Sequence, residues 1–164
     1  MEIRHIKESD DKKEISKIYE DSWKFAYAEI IPKDYLDNIP AGSWIPHLEN
    51  KNMNNLVLIK DGKFIGTSSY CRSRSKEFKN FGEIVSIYLL PEYVGKSYGK
   101  KLFKATLNEL TELGYKDVFL WVLEENVRAR RFYESQKFKL SDKFNYINIG
   151  GKNLKEVAYT FRIG

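Results

Sequence analysis

Apolar positions recur every three or four residues in some stretches of this chain and every second residue in others, which predicts helices interleaved with strands. Ile3 to Lys7 reads as a short strand, and Asp10 or Asp11 can cap a helix carrying Ile15, Ile18, Tyr19, Trp23 and Ala26 on one side. Pro32 to Asn50 predicts one or two short helices joined at Ala41-Gly42. Asn55–Ile59 and Phe64–Cys71 flank Asp61-Gly62, a hairpin with the turn dipeptide whose positive φ angles suit strand twist. A central strand follows from Phe81 to Leu90. A helix from about Ser97 to Leu113 then turns Leu102, Phe103, Thr106, Leu107, Leu110 and Leu113 inward. Val118 to Val122 is apolar on both faces, as a strand covered on both sides should be. Asn126 caps a short helix bearing Ala129, Phe132 and Tyr133, and closing strands run around Phe138–Ile147 and Leu154–Ile163, separated by Gly150-Gly151.

The 164 residues predict one domain, residues 1–164, without repeats or linkers, large enough to bury roughly 70% of its unfolded surface. The longest apolar stretch, Ile84 to Leu90, is too short to cross a bilayer, and the charged N-terminus lacks a signal-peptide core. The single Cys71 permits no internal disulfide, in keeping with a reducing, cytoplasmic setting. His5 and His47 offer no metal-ligand spacing, so no metal is expected.

Net charge is +5, and its placement matters more than its size. Lys96, Lys100, Lys101, Lys104, Arg128, Arg130 and Arg131 gather in two segments, whereas Glu20, Asp21, Glu29, Asp34 and Asp37 outnumber Lys24 and Lys33 near the N-terminus. Individually such residues are ordinary solvated side chains. Together the basic ones surround a turn, Pro91-Glu92-Tyr93-Val94-Gly95-Lys96-Ser97-Tyr98-Gly99-Lys100, that leads from a strand into a helix. The free N–H groups and dipole of that helix start would hold a phosphate-bearing cofactor.

The turn resembles Gln/Arg-x-x-Gly-x-Gly/Ala of the GNAT (Gcn5-related N-acetyltransferase) superfamily. Gly99 keeps the last glycine, while Val94 and Ser97 stand at the first and middle signature positions. Asn126-x-x-Ala129-x-x-Phe132-Tyr133 resembles the family's Asn-x-x-Ala-x-x-Phe-Tyr-x-x-x-Gly-Phe, with Lys137 replacing the glycine before Phe138. The resemblance implies an α/β (α+β) fold, a mixed, mostly antiparallel six- to seven-stranded twisted sheet flanked by helices. It implies acetyl-CoA as cofactor, held by Val94, Gly95, Lys96, Ser97, Tyr98, Gly99 and Lys100, by the backbone of Ile87, Tyr88 and Leu89 between two splayed strands, and by Asn126, Ala129, Arg130, Phe132 and Tyr133. Direct transfer to a primary amine, on a small amine or polyamine or on a protein or peptide N-terminus or lysine, follows from the same likeness.

Two residues are candidates for proton transfer. Period-two alternation puts Glu83 in a row with Val85, Ile87 and Leu89, where desolvation would favour a general base, and Phe81 to Val85 also looks like the segment carrying the catalytic glutamate in Gcn5-type members. Glu83 is equally readable as a strand-end carboxylate paired with Arg72 or Arg74. Tyr133 would protonate the leaving thiolate, or else is a half-buried core aromatic. Tyr27 and Tyr35 are the candidates for touching acceptor, with Trp23 expected in the core. Rival readings are a catalytically silent CoA-binding sensor and a nucleic-acid-binding module, the latter without any recognised motif to organise it. Neither nucleic acid nor membrane is therefore an expected partner, and a homodimer is left open.

Overall fold

The elements follow the order that the apolar periods predict. The computed structural model describes residues 1–164 as β1 (Glu2–His5), α1 (Lys12–Ala26), α2 (Lys33–Asp37), α3 (Ile45–Leu48), β2 (Asn54–Lys60), β3 (Lys63–Arg72), β4 (Gly82–Leu89), α4 (Tyr98–Glu112), β5 (Asp117–Leu123), α5 (Val127–Ser135), β6 (Lys139–Ile149) and β7 (Lys152–Arg162). Of the two aspartates, Asp11 is the cap of α1, accepting from the N–H groups of Lys13 and Glu14 at 3.0 and 3.3 Å, while Asp10 pairs with Arg4 at 2.9 Å. Asp61 and Gly62 turn the β2–β3 hairpin with φ of 51° and 75°, the left-handed pair expected of that dipeptide.

The seven strands form one sheet in the order β1-β2-β3-β4-β5-β7-β6. Only β4 and β5 run parallel; every other neighbouring pair is antiparallel. Helices α4 and α5 cover one face around a core that includes Leu102, Phe103, Leu110, Ile84, Leu120 and Tyr159. Helices α1 to α3 cover the other, where Ile15, Tyr19 and Leu48 pack on Val57, and Ile30, Ile31 and Leu36 on Leu123 and Leu154. Truncating Phe103, 1% exposed, would leave a cavity costing about 3–5 kcal/mol. Leu113 departs from its expected inward stripe, being 60% exposed, because α4 ends at Glu112 and the following turn carries Leu113 outward.

Two features of β4 shape everything that follows. Ser69 pairs with Ser86 and Tyr70 with Ile84, so Val85 is an unmatched bulge residue. The bulge breaks the simple alternation along the strand. Glu83 therefore lies on the face of Ser86 and Tyr88, whose hydroxyls meet Tyr19 and Trp23 of α1, and not in the row of Ile87 and Leu89 that uninterrupted alternation predicts. The second feature is the β4–β5 pairing, which comprises only Gly82 with Val118 and Glu83 with Phe119. Beyond those pairs the two strands part.

Candidate active site

The parting of β4 and β5 opens a cleft of about 840 Å³, lined from both faces of the sheet and sized for a small-molecule cofactor and substrate. Amide direction alternates along a strand, and the Leu90 N–H donates to Ile65 of β3 at 2.8 Å. Tyr88 consequently points its amide to β3 as well, while Ile87 and Leu89 turn theirs toward the gap. The Leu89 carbonyl there accepts from the Ser22 hydroxyl of α1.

On the α4–α5 side, the cleft is lined by Val94, Gly95, Ser97, Gly99, Lys100, Arg128, Ala129 and Phe132. Asn126 lines it too, and also caps α5 by accepting from the Ala129 N–H at 3.3 Å. In contrast to α1 and α5, the long helix α4 has no side-chain cap. Its first N–H groups are left for a ligand, with Lys100 and Arg128 supplying positive charge nearby. Ser97 takes φ 71° and Lys137 φ 72°, the left-handed backbone conformation that glycine adopts most freely. Lys96 and Tyr98 do not line the cleft. Arg130 is directed elsewhere, donating to the Tyr159 hydroxyl at 2.9 Å and the Glu124 carbonyl at 3.1 Å, which ties α5 to the sheet.

On the α1 side, Tyr27 lines the cleft and Tyr35 does not; Tyr35 is 43% exposed with its ring against Gly150. Trp23, expected in the core, lines the cleft as well, held by an Nε1–H bond to the Tyr88 hydroxyl at 3.1 Å. Trp121, Ile147, Ile149 and Glu156 complete this wall. Glu156 went unnoticed in the sequence, although the signal was present: it interrupts the row Leu154, Glu156, Ala158, as Glu83 interrupts its own strand. The acidic excess of α1 and α2 is not in the cleft. Glu20 is buried and accepts from the Ser16 hydroxyl and Gly42 N–H at 2.6 and 2.9 Å, and Asp21 and Asp37 pair with Lys17 and Lys33 on exposed helix surface.

Glu83 is 2% exposed and fully engaged. Arg74 donates to it three times: from the backbone N–H at 3.1 Å, from Nε at 3.2 Å and from an Nη at 2.7 Å. Of the two pairings readable in the sequence, Arg74 is the one formed. Tyr133 is sunk in the cleft without a hydrogen-bond partner, and burial, reinforced by the Tyr88 phenol, holds its own phenol well above the ordinary tyrosine range. Burial likewise pushes Tyr27 up to about 12. Burial, then the Glu83 charge, push the Cys71 thiol up to about 11, and Cys71 does not line the cleft. No group of three or more His, Cys, Asp or Glu residues gathers at metal-binding distance, and no helix is long and apolar enough to cross a membrane.

A mixed sheet split at its one parallel pair, with an uncapped helix start on one face and a buried phenol in the gap, defines the architecture of an acyl-CoA N-acyltransferase. Residues 13–138 match the Acetyltransferase (GNAT) family, and the chain belongs to that family. It is an N-acetyltransferase. It is 31% identical over 151 residues, 91% of this chain and 86% of the other, to an uncharacterized N-acetyltransferase of Bacillus subtilis. It is 26% identical to the spermidine N(1)-acetyltransferase of Thermoplasma acidophilum, over 87% of this chain and 90% of that one. The fold matches the crystal structure of the PaiA N-acetyltransferase from Thermoplasma acidophilum in complex with coenzyme A with a TM-score of 0.76, at 22% identity, covering 99% of this chain and 100% of that one.

Proposed function

We propose that this protein transfers the acetyl group of acetyl-CoA directly to a primary amine on a small amine or polyamine. The observation that carries this reading is the cleft passing through the sheet, with an anion-binding helix start on one face and an aromatic wall on the other. The residues present fit a CoA thioester. The uncapped N–H groups of α4, the Ser97 hydroxyl, Lys100 and Arg128 would hold its pyrophosphate, and the gap between β4 and β5 would admit its arm. When bound, the group supplies an activated acetyl thioester.

The chain's own residues supply the rest. The Ile87 and Leu89 amides, turned toward the gap, would donate to the arm and to the thioester carbonyl, stabilising negative charge there. Tyr133, kept protonated by burial, would be the proton donor for the leaving sulfur. Glu83, directly or through water, takes the acceptor's ammonium proton, with Arg74 fixing the carboxylate's orientation. The deeply buried, high-pKa Cys71 supports direct transfer over an acetyl-cysteine route. The spermidine-acetylating relative supports a small-amine acceptor; a protein N-terminus or lysine presents the same nucleophile.

The test is a turnover screen of acetyl-CoA against amine classes, alongside thermal unfolding. At free acetyl-CoA about 100 times its Kd, the fold should gain near 2.7 kcal/mol. No thermal shift at millimolar acetyl-CoA overturns the cofactor, and a shift without thiol release for any amine leaves a binding protein.

A further inference from the structure

One carboxylate in the cleft has no charged partner. Glu83 is taken by Arg74, and the acids of α1 and α2 lie outside the cleft, whereas Glu156 lines it and forms no ion pair. The adjacent Lys155 turns to the opposite face, where it pairs with Glu124 at 3.3 Å. Directly across on β6, the Asn145 side-chain amide donates to Glu156 and leaves its own buried Oδ1 without any donor. The buried Asn145 Oδ1 thus lacks a hydrogen-bond donor beside a carboxylate that has no charged partner, an arrangement that is costly when dry and is relieved by a cation carrying several N–H bonds. With Glu83 and Arg74 cancelling, Glu156 makes the α1 side of the cleft net negative, opposite to the Lys100 and Arg128 side.

Register locates this charge relative to the reacting centre. Glu83 pairs with Phe119; counted on the β3 register, which discounts the bulge residue Val85, Tyr88 and Leu123 lie equally far beyond that pair along the parallel strands. Leu123 in turn pairs with Glu156. Glu156 is therefore level with Tyr88, one residue past the Ile87 amide, but two strands away, at least two inter-strand spacings of roughly 4.8 Å. A nitrogen at the thioester would fall short of it. On the same wall of the cleft, Trp23, Tyr27 and Trp121 offer apolar surface to a methylene chain.

We propose that Glu156 anchors a second ammonium group of the acceptor, so that the preferred substrate is a diamine or polyamine acetylated at the end away from Glu156. This rests on the acetyl-transfer reading above and adds a specificity-determining residue to it. Ile147 and Ile149 close the wall on which that anchored end rests.

Putrescine and n-butylamine share one carbon chain and differ by one ammonium group, so their ratio of kcat/KM isolates the contact. The wild type should favour putrescine, and Glu156→Gln should raise the putrescine KM by ~10- to 100-fold, the worth of a charge-assisted hydrogen bond. The butylamine kcat/KM and the acetyl-CoA KM should stay within about twofold of wild type, which also certifies the fold. An equal loss for both amines, or an unchanged putrescine-to-butylamine ratio, overturns the anchor while leaving acetyl transfer standing. If the wild type acetylates no amine, the transfer reading itself falls and takes the anchor with it.

Discussion

Ser97 and Lys137 hold almost the same left-handed backbone angle, φ 71° and 72°, at the two places where the motifs otherwise carry glycine. The fold thus bears the strain of a side chain in a conformation that suits glycine. That conformation costs a non-glycine residue ~1–2 kcal/mol, offset by the extra unfolded-state freedom of glycine. Lys137→Gly should therefore raise stability by about 0.5–1 kcal/mol in urea unfolding, with activity unchanged. An equal or lower midpoint would mean that the Lys137 side chain makes compensating contacts.

Glu83→Gln tests the base. It keeps the shape of the side chain and removes the charge that Arg74 holds, so CoA binding on the far side of the sheet should persist. Loss of a general base is typically worth about 10²- to 10⁴-fold in rate, and the loss should be greatest at low pH, where less acceptor is already neutral. Wild-type rates across the pH profile would make the Glu83–Arg74 pair a purely structural link between β4 and the loop after β3.

Much of this architecture was legible because it depends on local pattern. The Asp61-Gly62 turn, the Asn126 cap and the apolar stripe of α4 each follow from residues within a few positions of one another. What could not be read depends on pairing between distant strands. The bulge at Val85, which moves Glu83 to the acceptor face, exists only in the register between β3 and β4. Glu156 reaches the cleft only because β7 inserts between β5 and β6, and Arg130, though inside the motif, is claimed by Tyr159 from β7. Tyr35 failed as a cleft residue for the same reason, since the β6–β7 hairpin tip at Gly150 takes its ring.

Glu156 also makes a prediction about stability. Burial first, then the Glu83 charge, raise its carboxyl above the ordinary value, with Asn145 and Arg74 opposing. The folded protein then binds this proton more tightly than the unfolded chain does. Its stabilising contribution is present below the unfolded carboxylate pKa and is lost as pH rises through the folded one. Glu156→Gln should accordingly melt above wild type at about pH 8, with the gap closing toward about pH 4, below the ordinary Glu value. A gap that stays constant across that range would show that the charge of Glu156 is not what costs the fold.

Gly99 probes the helix start. An added Cβ there would meet only Leu89 Cδ1, at 3.6 Å, an ordinary contact that the fold accommodates. A β-branched side chain should nevertheless crowd an anion drawn to the first N–H groups of α4. Gly99→Val is expected to fold normally and to weaken CoA binding in a calorimetric titration; unchanged affinity would move the phosphates away from this turn.

Tyr133→Phe separates packing from proton transfer. The ring sits among Phe103, Phe132 and Tyr159, with centroids 5.7 to 6.4 Å away, and phenylalanine keeps those contacts. The hydroxyl has no partner within the chain, so its removal leaves no orphaned group behind and should cost little stability. Because a proton delivered to the leaving sulfur matters mainly in the transition state, kcat should fall while acetyl-CoA affinity holds. A parallel loss of affinity and rate would mean that the hydroxyl anchors the cofactor. Full activity in a folded Tyr133→Phe protein would mean that the sulfur takes its proton from water or from the acceptor, and that the high pKa of Tyr133 records burial alone.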